Sequence, residues 1–333
     1  MNLTTNLNNG QGKIELTIRH GNNLIFPIVE DGVVWETERK GVPAKLTFTV
    51  VKDDNIAFDE GDHVRFRYDG KDVFYGFVFV KKRDKEHHIT VTAYDQLYYF
   101  KNKDTYVYSN KTASELIKMI ADDFNLQVGE LDHTGYIIGT EEDQIEDNQT
   151  LFDIVQNALD LTLTAYKKMY VLYDNFGKIT LKNIENMKLD TLICDSTAEN
   201  FSYTTSIADS TYNQIKLCYE NETTGEREVY MAKDSKNINR WGILQYYETI
   251  KENTNAASKA DALLKLYNYK TRNLSIDNAL GDIRVRAGTS VPVILNLGDI
   301  INKTYLLVEK VKHTFSDNQH VMNLTMKGGD HFV

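Results

Sequence analysis

The sequence predicts a mainly β chain of α+β character: two similar small β-barrels, one near each end, with a mixed α/β domain inserted between them. Three observations predict it. Residues 14–100 run strand after strand with no room for a helix. Helical spacing and capping residues appear after about residue 104. The strand pattern of the first segment then returns between residues 288 and 326. At 333 residues the chain has length for two or three domains.

In the first segment, Ile14-Glu-Leu16-Thr-Ile18, Leu46-Thr-Phe48-Thr-Val50 and Val64-Arg-Phe66-Arg-Tyr68 alternate apolar and polar residues. Period two buries one face and wets the other. Asp69-Gly70 supplies a tight turn. The apolar run Val73–Val80 follows, Lys81–Glu86 reads as a charged turn, and Ile89-Thr-Val91-Thr-Ala93 closes the set. Residues 1–103 are therefore expected to form the first β-barrel domain.

Residues 104–200 are expected to form the mixed domain. Thr112-Ala-Ser-Glu115 has the pattern of a capping box, and Leu116, Ile117, Ile120 and Phe124 follow on one helical face. Thr150-Leu-Phe-Asp153 opens a second amphipathic helix carrying Phe152, Ile154, Val155, Ala158 and Leu159. The stretch between, Asp132–Asn148, reads as an acidic loop. A hairpin of Ala165–Tyr173 and Lys178–Leu181 follows, turned by Asp174-Asn-Phe-Gly177.

From Phe201 strands resume. Tyr212–Tyr219 and Arg227–Met231 flank the turn Asn221–Gly225, and a third helix spans about Ala256–Lys270. Val291–Leu295, Tyr305–Phe315 and His320–Met326 are strands again, the last two joined by Ser316–Gln319. Gly61-Asp-His-Val64 and Gly288-Thr-Ser-Val291 each open an alternating strand, then lead through an aromatic-rich strand to a histidine that opens another, His88 and His320. Gly298-Asp299 offers a second register against Gly61-Asp62. Any two sets of hairpins share some of this pattern; the sharper reading is one barrel in two copies.

Lys and Arg total 38 against 48 for Asp and Glu, a net charge of −10, which does not attract phosphate backbones. The longest basic run is Lys81-Lys82-Arg83, placed in the expected turn. The first ten residues lack the basic and apolar regions of a secretory signal, and eight apolar residues at Val73–Val80 fall short of a membrane span, so a chain folded in a reducing cytoplasm is expected, without membrane insertion. Cys194 and Cys218 alone cannot make a disulfide framework or a four-cysteine zinc site. Histidines 20, 63, 87, 88, 133, 313, 320 and 331 are scattered, and the adjacent His87 and His88 would point to opposite faces of a strand. Glu141-Glu142-Asp143 and Glu146-Asp147 supply acid for a hydrolase, but in a polar loop nothing raises one pKa for acid catalysis. No catalytic, cofactor-binding or metal site is expected. Function by shape is.

One set of motifs carries a family likeness. Trp35-Glu-Thr-Glu-Arg39, Gly61-Asp-His-Val64, Phe74-Tyr-Gly76-Phe-Val78, Ala93-Tyr-Asp95-Gln-Leu97-Tyr-Tyr-Phe100-Lys, Thr112-Ala-Ser-Glu-Leu-Ile117 and Tyr305–Phe315 stand in the order found in XkdQ/YqbQ-type hub proteins of contractile phage tails, prophages and phage-tail-like bacteriocins. More distantly the chain resembles late-control D proteins and the T4-type central hub. The resemblance implies a baseplate homotrimer whose six barrels form a ring between a six-fold tail tube protein and a three-fold central spike protein. It also implies baseplate wedge or LysM-type tail proteins as neighbours, DNA passage without specific binding, and no catalysis or cofactor. The family pattern makes residues 201–333 the second barrel, with a helical insertion at about 232–287. Contact between Tyr212–Tyr219 and the C-terminal strands would mark them as one unit. A carbohydrate- or receptor-binding tail component and a peptidoglycan hydrolase are the competing readings.

Overall fold

The computed structural model describes residues 13–52, 56–86, 88–208, 210–220, 225, 227–250, 256–295, 304–316 and 319–328. The expected turn residues 221–224, 317 and 318, His87, His331 and Gly298-Asp299 lie outside them. The described chain is mainly β with four α-helices.

Its first segment holds β1 (Ile14–His20), β2 (Asn23–Ile25), β3 (Val33–Glu38), β4 (Lys45–Val51), β5 (His63–Tyr68), β6 (Lys71–Arg83) and β7 (His88–Tyr94). Alternation places Leu46, Phe48 and Val50 inside, with Val64 and Phe66 of β5 and Val91 and Ala93 of β7. Asp69 and Gly70, at φ 51 and 68, turn β5 back into β6 in the left-handed backbone that a two-residue hairpin needs. One expectation is corrected here. Lys81–Arg83 are not in the turn but continue β6, paired with Val91–Ile89 of β7, after a bulge between Val78 and Val80. Cross-strand pairing outweighs the local charge.

The next segment begins with a short 3-10 helix, Gln96–Lys101, capped by the Asp95 carboxylate, then β8 (Lys103–Tyr108) and α1 (Ala113–Asp123). The expected capping box at Thr112 is present in both directions: Glu115 N–H donates to Thr112 Oγ1 at 3.3 Å, and Thr112 N–H to Glu115 Oε2 at 2.8 Å. Then come β9 (Val128–Leu131), β10 (Gln144–Thr150), α2 (Leu151–Tyr166), β11 (Tyr170–Asp174), β12 (Ile179–Asn183) and β13 (Ile193–Cys194). Leu116, Ile117 and Ile120 of α1 meet Leu151, Ile154 and Ala158 of α2 in a core of their own. Two sequence boundaries shift. The supposed acidic loop becomes β10 from Gln144, bonded to β8, and Ala165 belongs to α2 rather than to the hairpin.

After β14 (Asn200–Ser206) come β15 (Gln214–Glu220), β16 (Arg227–Lys233), α3 (Ser235–Trp241), β17 (Gln245–Thr249) and α4 (Ala256–Tyr267). The chain closes with β18 (Thr271–Leu280), β19 (Ser290–Ile294), β20 (Thr304–Ser316) and β21 (Gln319–Gly328). By contacts it divides into two compact units. One holds the described residues up to Ser202 with Ser275–Met326; the other holds those of Tyr203–Leu274 with Lys327 and Gly328. The second unit is a three-stranded sheet, β16-β15-β17, covered by α4 through Ile215, Leu217, Ala260 and Leu263. Tyr212–Tyr219 thus finds its ladder partners in β16 and β17.

Thirteen of the described strands run as one sheet in the order β14-β18-β21-β20-β3-β4-β7-β6-β5-β1-β2, with β19 on β20 and β13 on β19, and no closed barrel is seen among the described residues. The order contains the same figure twice. The chain-ordered strands β3 to β7 lie as β3-β4-β7-β6-β5, and β14, β18, β19, β20 and β21 lie as β14-β18-β21-β20-β19. The fourth strand of each copy, β6 and β20, is 13 residues long.

Gly76 of β6 lies hard against Tyr94, the last residue of β7. A Cβ there would be driven into the backbone carbonyl of Tyr94 and the ring of Phe74. Gly76→Ala is expected to cost about 1–3 kcal/mol, as overpacking does, read as a lowered urea midpoint with unchanged slope.

Candidate assembly surface

With no chemical motif to build from, the site is the duplicated module and the seam joining its two copies. Each copy turns on one glycine. Gly61 and Gly288 have φ of 94 and 96, a region that side chains avoid. Gly61 N–H donates to Val78 O at 2.8 Å while Val78 N–H donates to Asp62 O at 2.8 Å. Gly288 N–H donates to Val308 O at 2.9 Å while Val308 N–H donates to Thr289 O at 2.8 Å. The two corners are the same hydrogen-bonded figure, which selects the Gly61–Gly288 register.

The copies join where β3 pairs with β20, from Glu38↔Lys310 to Phe315↔Val33. Arg39 continues the seam: its N–H reaches Glu309 O at 2.9 Å, and its guanidinium grips the Glu309 carboxylate through Nε and NH2 at 3.0 and 2.9 Å. Both side chains are largely buried, so the two-pronged geometry offsets much of the cost of desolvating them. Thr37 Oγ1, also buried, accepts from Ala287 N–H at 2.9 Å.

Beneath the seam lies an aromatic row. Trp35 stacks on His313 at 4.8 Å, His320 stacks on Phe315 at 4.2 Å, and Tyr68 meets the His320 edge at 5.1 Å. His313 Nε2 lies 2.8 Å from Val285 O and its Nδ1 lies 2.9 Å from His320 Nε2. A carbonyl only accepts, so His313 carries its proton on Nε2 and takes one from His320 Nε2–H at Nδ1. A second proton on His313 would face that donor. Burial, then His320, holds His313 down to about 3. Burial holds His320 down to about 4, against the opposing pull of Asp282 and Asp69. The sequence separated these two histidines; the β20–β21 hairpin brings them together.

A buried polar node ties three distant segments. Asp95 accepts from Ala44 N–H at 3.1 Å and Leu97 N–H at 3.0 Å. Gln96 Nε2 donates to Asp174 Oδ2 at 2.9 Å, and Arg286 donates to Asp174 O at 3.0 Å with its guanidinium 3.7 Å from the Tyr173 ring centre. Burial, then the Asp174 charge, pushes the Asp95 carboxyl well up, and burial pushes Asp174 up too. Burial lowers Arg286. Asp95 and Gln96 belong to a motif the sequence singled out, whereas nothing local marks Arg286.

The sequence-derived acids come out differently from expected. Glu146 is not a solvated loop residue: it is buried in β10, its carboxylate accepting from Gln144 Nε2 and Asn157 Nδ2, each at 2.9 Å. Glu141, Glu142 and Asp143 stay exposed. Cys218 is buried in the core of the second unit. Hydrogen bonds from Ser196 and Thr197 lower the half-buried Cys194 thiol. Among the described residues no three His, Cys, Asp or Glu side chains group as metal ligands, and no helix is long and apolar enough to cross a membrane.

The structure is a duplicated strand module joined by a ladder, an ion pair and an aromatic row. The chain belongs to the YQBQ-like family, whose model matches residues 33–327. It is 31% identical over 307 residues to YqbQ of Bacillus subtilis (strain 168), covering 89% of this chain and 91% of that one. It is equally similar to the phage-like element PBSX protein XkdQ of the same organism, covering 89% and 92%. In fold it resembles the 43 kDa tail protein of prophage MuSo2 from Shewanella oneidensis, with a TM-score of 0.70 and 12% identity, over 96% of this chain and all of that one.

Gly61→Ala is expected to cost about 1 kcal/mol through backbone strain alone, since nothing stands within 4 Å of the added carbon. Gly288→Ala should cost more, because its Cβ would also meet Val171 at 2.6 Å; paired denaturation curves compare them. The two neutral histidines give a pH signature. Unfolded histidine takes a proton near pH 6.5 while the folded pair does not, so their stabilisation is complete above that pH and falls as pH drops towards 4 and 3. Unfolding free energy should decline between about pH 6.5 and 5, and His320→Gln should flatten that decline.

Proposed function

We propose that this chain is a structural hub of a phage-type tail baseplate. In this reading it is a non-catalytic homotrimer whose duplicated modules make a six-part ring between the six-fold tail tube protein and the three-fold central spike protein. The observation that carries it is the repeated strand order with its matching glycine corners. Two equivalent modules per chain turn three chains into six near-equivalent positions, which is what a three-to-six symmetry match requires. The name of the relative XkdQ, a protein of a phage-like element, points to the same setting.

On this reading residues 1–103 and 201–333 are the two hub domains and 104–200 the middle domain; the insertion expected in the second at about 232–287 corresponds to the compact unit Tyr203–Leu274. Wedge or LysM-type tail proteins surround the hub, and DNA or another cargo passes its acidic lumen without specific contacts. The protein then works in a virion or tail-like particle, phage or bacteriocin, assembled in the bacterial cytoplasm.

Light scattering across a concentration series should give a mass three times that of one chain. A strain lacking the protein should make no complete baseplates; full-length tails with complete baseplates in that strain would overturn the proposal. Clearing of purified peptidoglycan, abolished by Glu146→Gln, would support the hydrolase reading instead.

A further inference from the structure

The compact unit Tyr203–Leu274 stands outside the repeat. Nothing of the kind lies between β3 and β4 of the first copy, so the doubled sheet does not require it. Its charge differs as well. Tyr203–Leu274 holds ten Lys and Arg against nine Asp and Glu, while the remainder of the chain holds 28 against 39.

The three-stranded sheet of this unit is covered on one face. Ile215 and Leu217 lie under α4. Glu228 and Glu248 share their side by register, and Glu248 pairs with Lys259 of α4 at 2.7 Å. The ladder also lays out the opposite face. Along β16 it carries Arg227, Val229, Met231 and Lys233 in turn, a cation, two apolar side chains and a cation over about 20 Å. Lys216 and Tyr247 share a row with Met231, and in the next row Gln214 donates to Gln245 at 2.8 Å. Arg227 donates to the Tyr247 hydroxyl. Val229, Met231 and Tyr247 are 49%, 51% and 45% exposed. Lys216 and Lys233 have no ion-pair partner among the described residues. Register brings one carboxylate to this face, Glu220, at the end beside Arg227.

At its other end β16 runs into a cleft of about 560 Å³, lined by Lys233, Lys236, Lys265 and Leu264 with Asp234, Ser235 and Asn268. The Asp234 carboxylate is already engaged, accepting from the N–H groups of Lys236 and Asn237 at 2.8 and 3.1 Å and from Asn268 Nδ2 at 2.6 Å.

We propose that this face and its cleft bind an acidic segment of a partner protein. The segment is apolar where it crosses Val229, Met231 and Tyr247, and bears carboxylates where it meets Lys216, Lys233 and the lysine cleft. The proposal rests on the baseplate reading above for the setting in which the partner is met. Carboxylates suit the site because its lysines are not already matched, so a bound Asp or Glu completes an ion pair without breaking one. Exposed apolar side chains rimmed by charge are the usual make-up of a protein-binding patch. A nucleic acid would meet the same cations but gain little from Val229 and Met231, which offer bases no ring to stack on.

The test is photo-crosslinking in assembled particles. The full-length chain, with the photoreactive residue p-benzoylphenylalanine in place of Met231 or of Val229, is returned to the deletion strain. Purified tails are irradiated and the linked peptides sequenced. The expected result is one partner protein linked from both positions, through a peptide with more Asp and Glu than Lys and Arg. Lys216→Glu combined with Lys233→Glu should abolish the link while the chain still enters the particle, and Lys216→Arg with Lys233→Arg should keep it. A link to a basic peptide, to nucleic acid or to another copy of this chain overturns the proposal. So does a link that survives the double reversal, or complete tails with no link from either position; in each of these the hub reading stands. A chain absent from the tails overturns both.

Discussion

A β-strand inside a sheet must satisfy hydrogen-bonding groups on both edges, and in this protein that requirement is met across the chain rather than within each module. β3 opens the first module but finds its second edge in β20, the long fourth strand of the other. The ladder, the Arg39–Glu309 grip and the Trp35–His313 stack all lie along that line. Without the seam, each module would end on a bare edge and expose an aromatic floor. The thirteen-stranded sheet is continuous because of it.

The buried polar node acts in a different way. Asp95, Gln96, Asp174 and Arg286 come from three stretches of sequence far apart, and every strong contact among them is made away from water. Replacing one member would leave its neighbours desolvated and unmatched. Such a node adds little to net stability but penalises any arrangement in which the three stretches are misplaced. Hydrophobic contact alone, tolerant of slippage, does not supply that discrimination.

Local order was readable in the sequence wherever one periodicity ruled. The alternation of β4, β5 and β7, the capping box at Thr112, the amphipathic face of α2 and the Gly61–Gly288 echo are all local patterns, and each appears in the structure. What went unread was set at a distance. The Lys81–Arg83 triplet looked like a turn because its charge is local and its partner strand is not. Glu146 looked solvated because the amides that enclose it stand on either side, one of them on α2. The approach of His313 to His320, and of Arg286 to Asp174, follows from pairing and topology that no window of neighbouring residues contains. The candidate surface was legible as a repeat, whereas its seam was not.

The two modules also differ at one corner. From β3 to β4 the chain needs only a short turn near Gly41, while from β14 to β18 it departs, builds the compact unit Tyr203–Leu274, and returns to the neighbouring strand. The two ends of that excursion stay a strand spacing apart, about 5 Å, whatever is threaded between them. Closing even a long loop between fixed neighbours costs little more than closing a short one. The corner is therefore a graft point: the second module carries a guest there, and the first keeps the equivalent socket at Lys40–Pro43, between the seam contact of Arg39 and the Ala44–Asp95 hydrogen bond, where a folded domain with adjacent termini could be spliced without disturbing the ladder on either side.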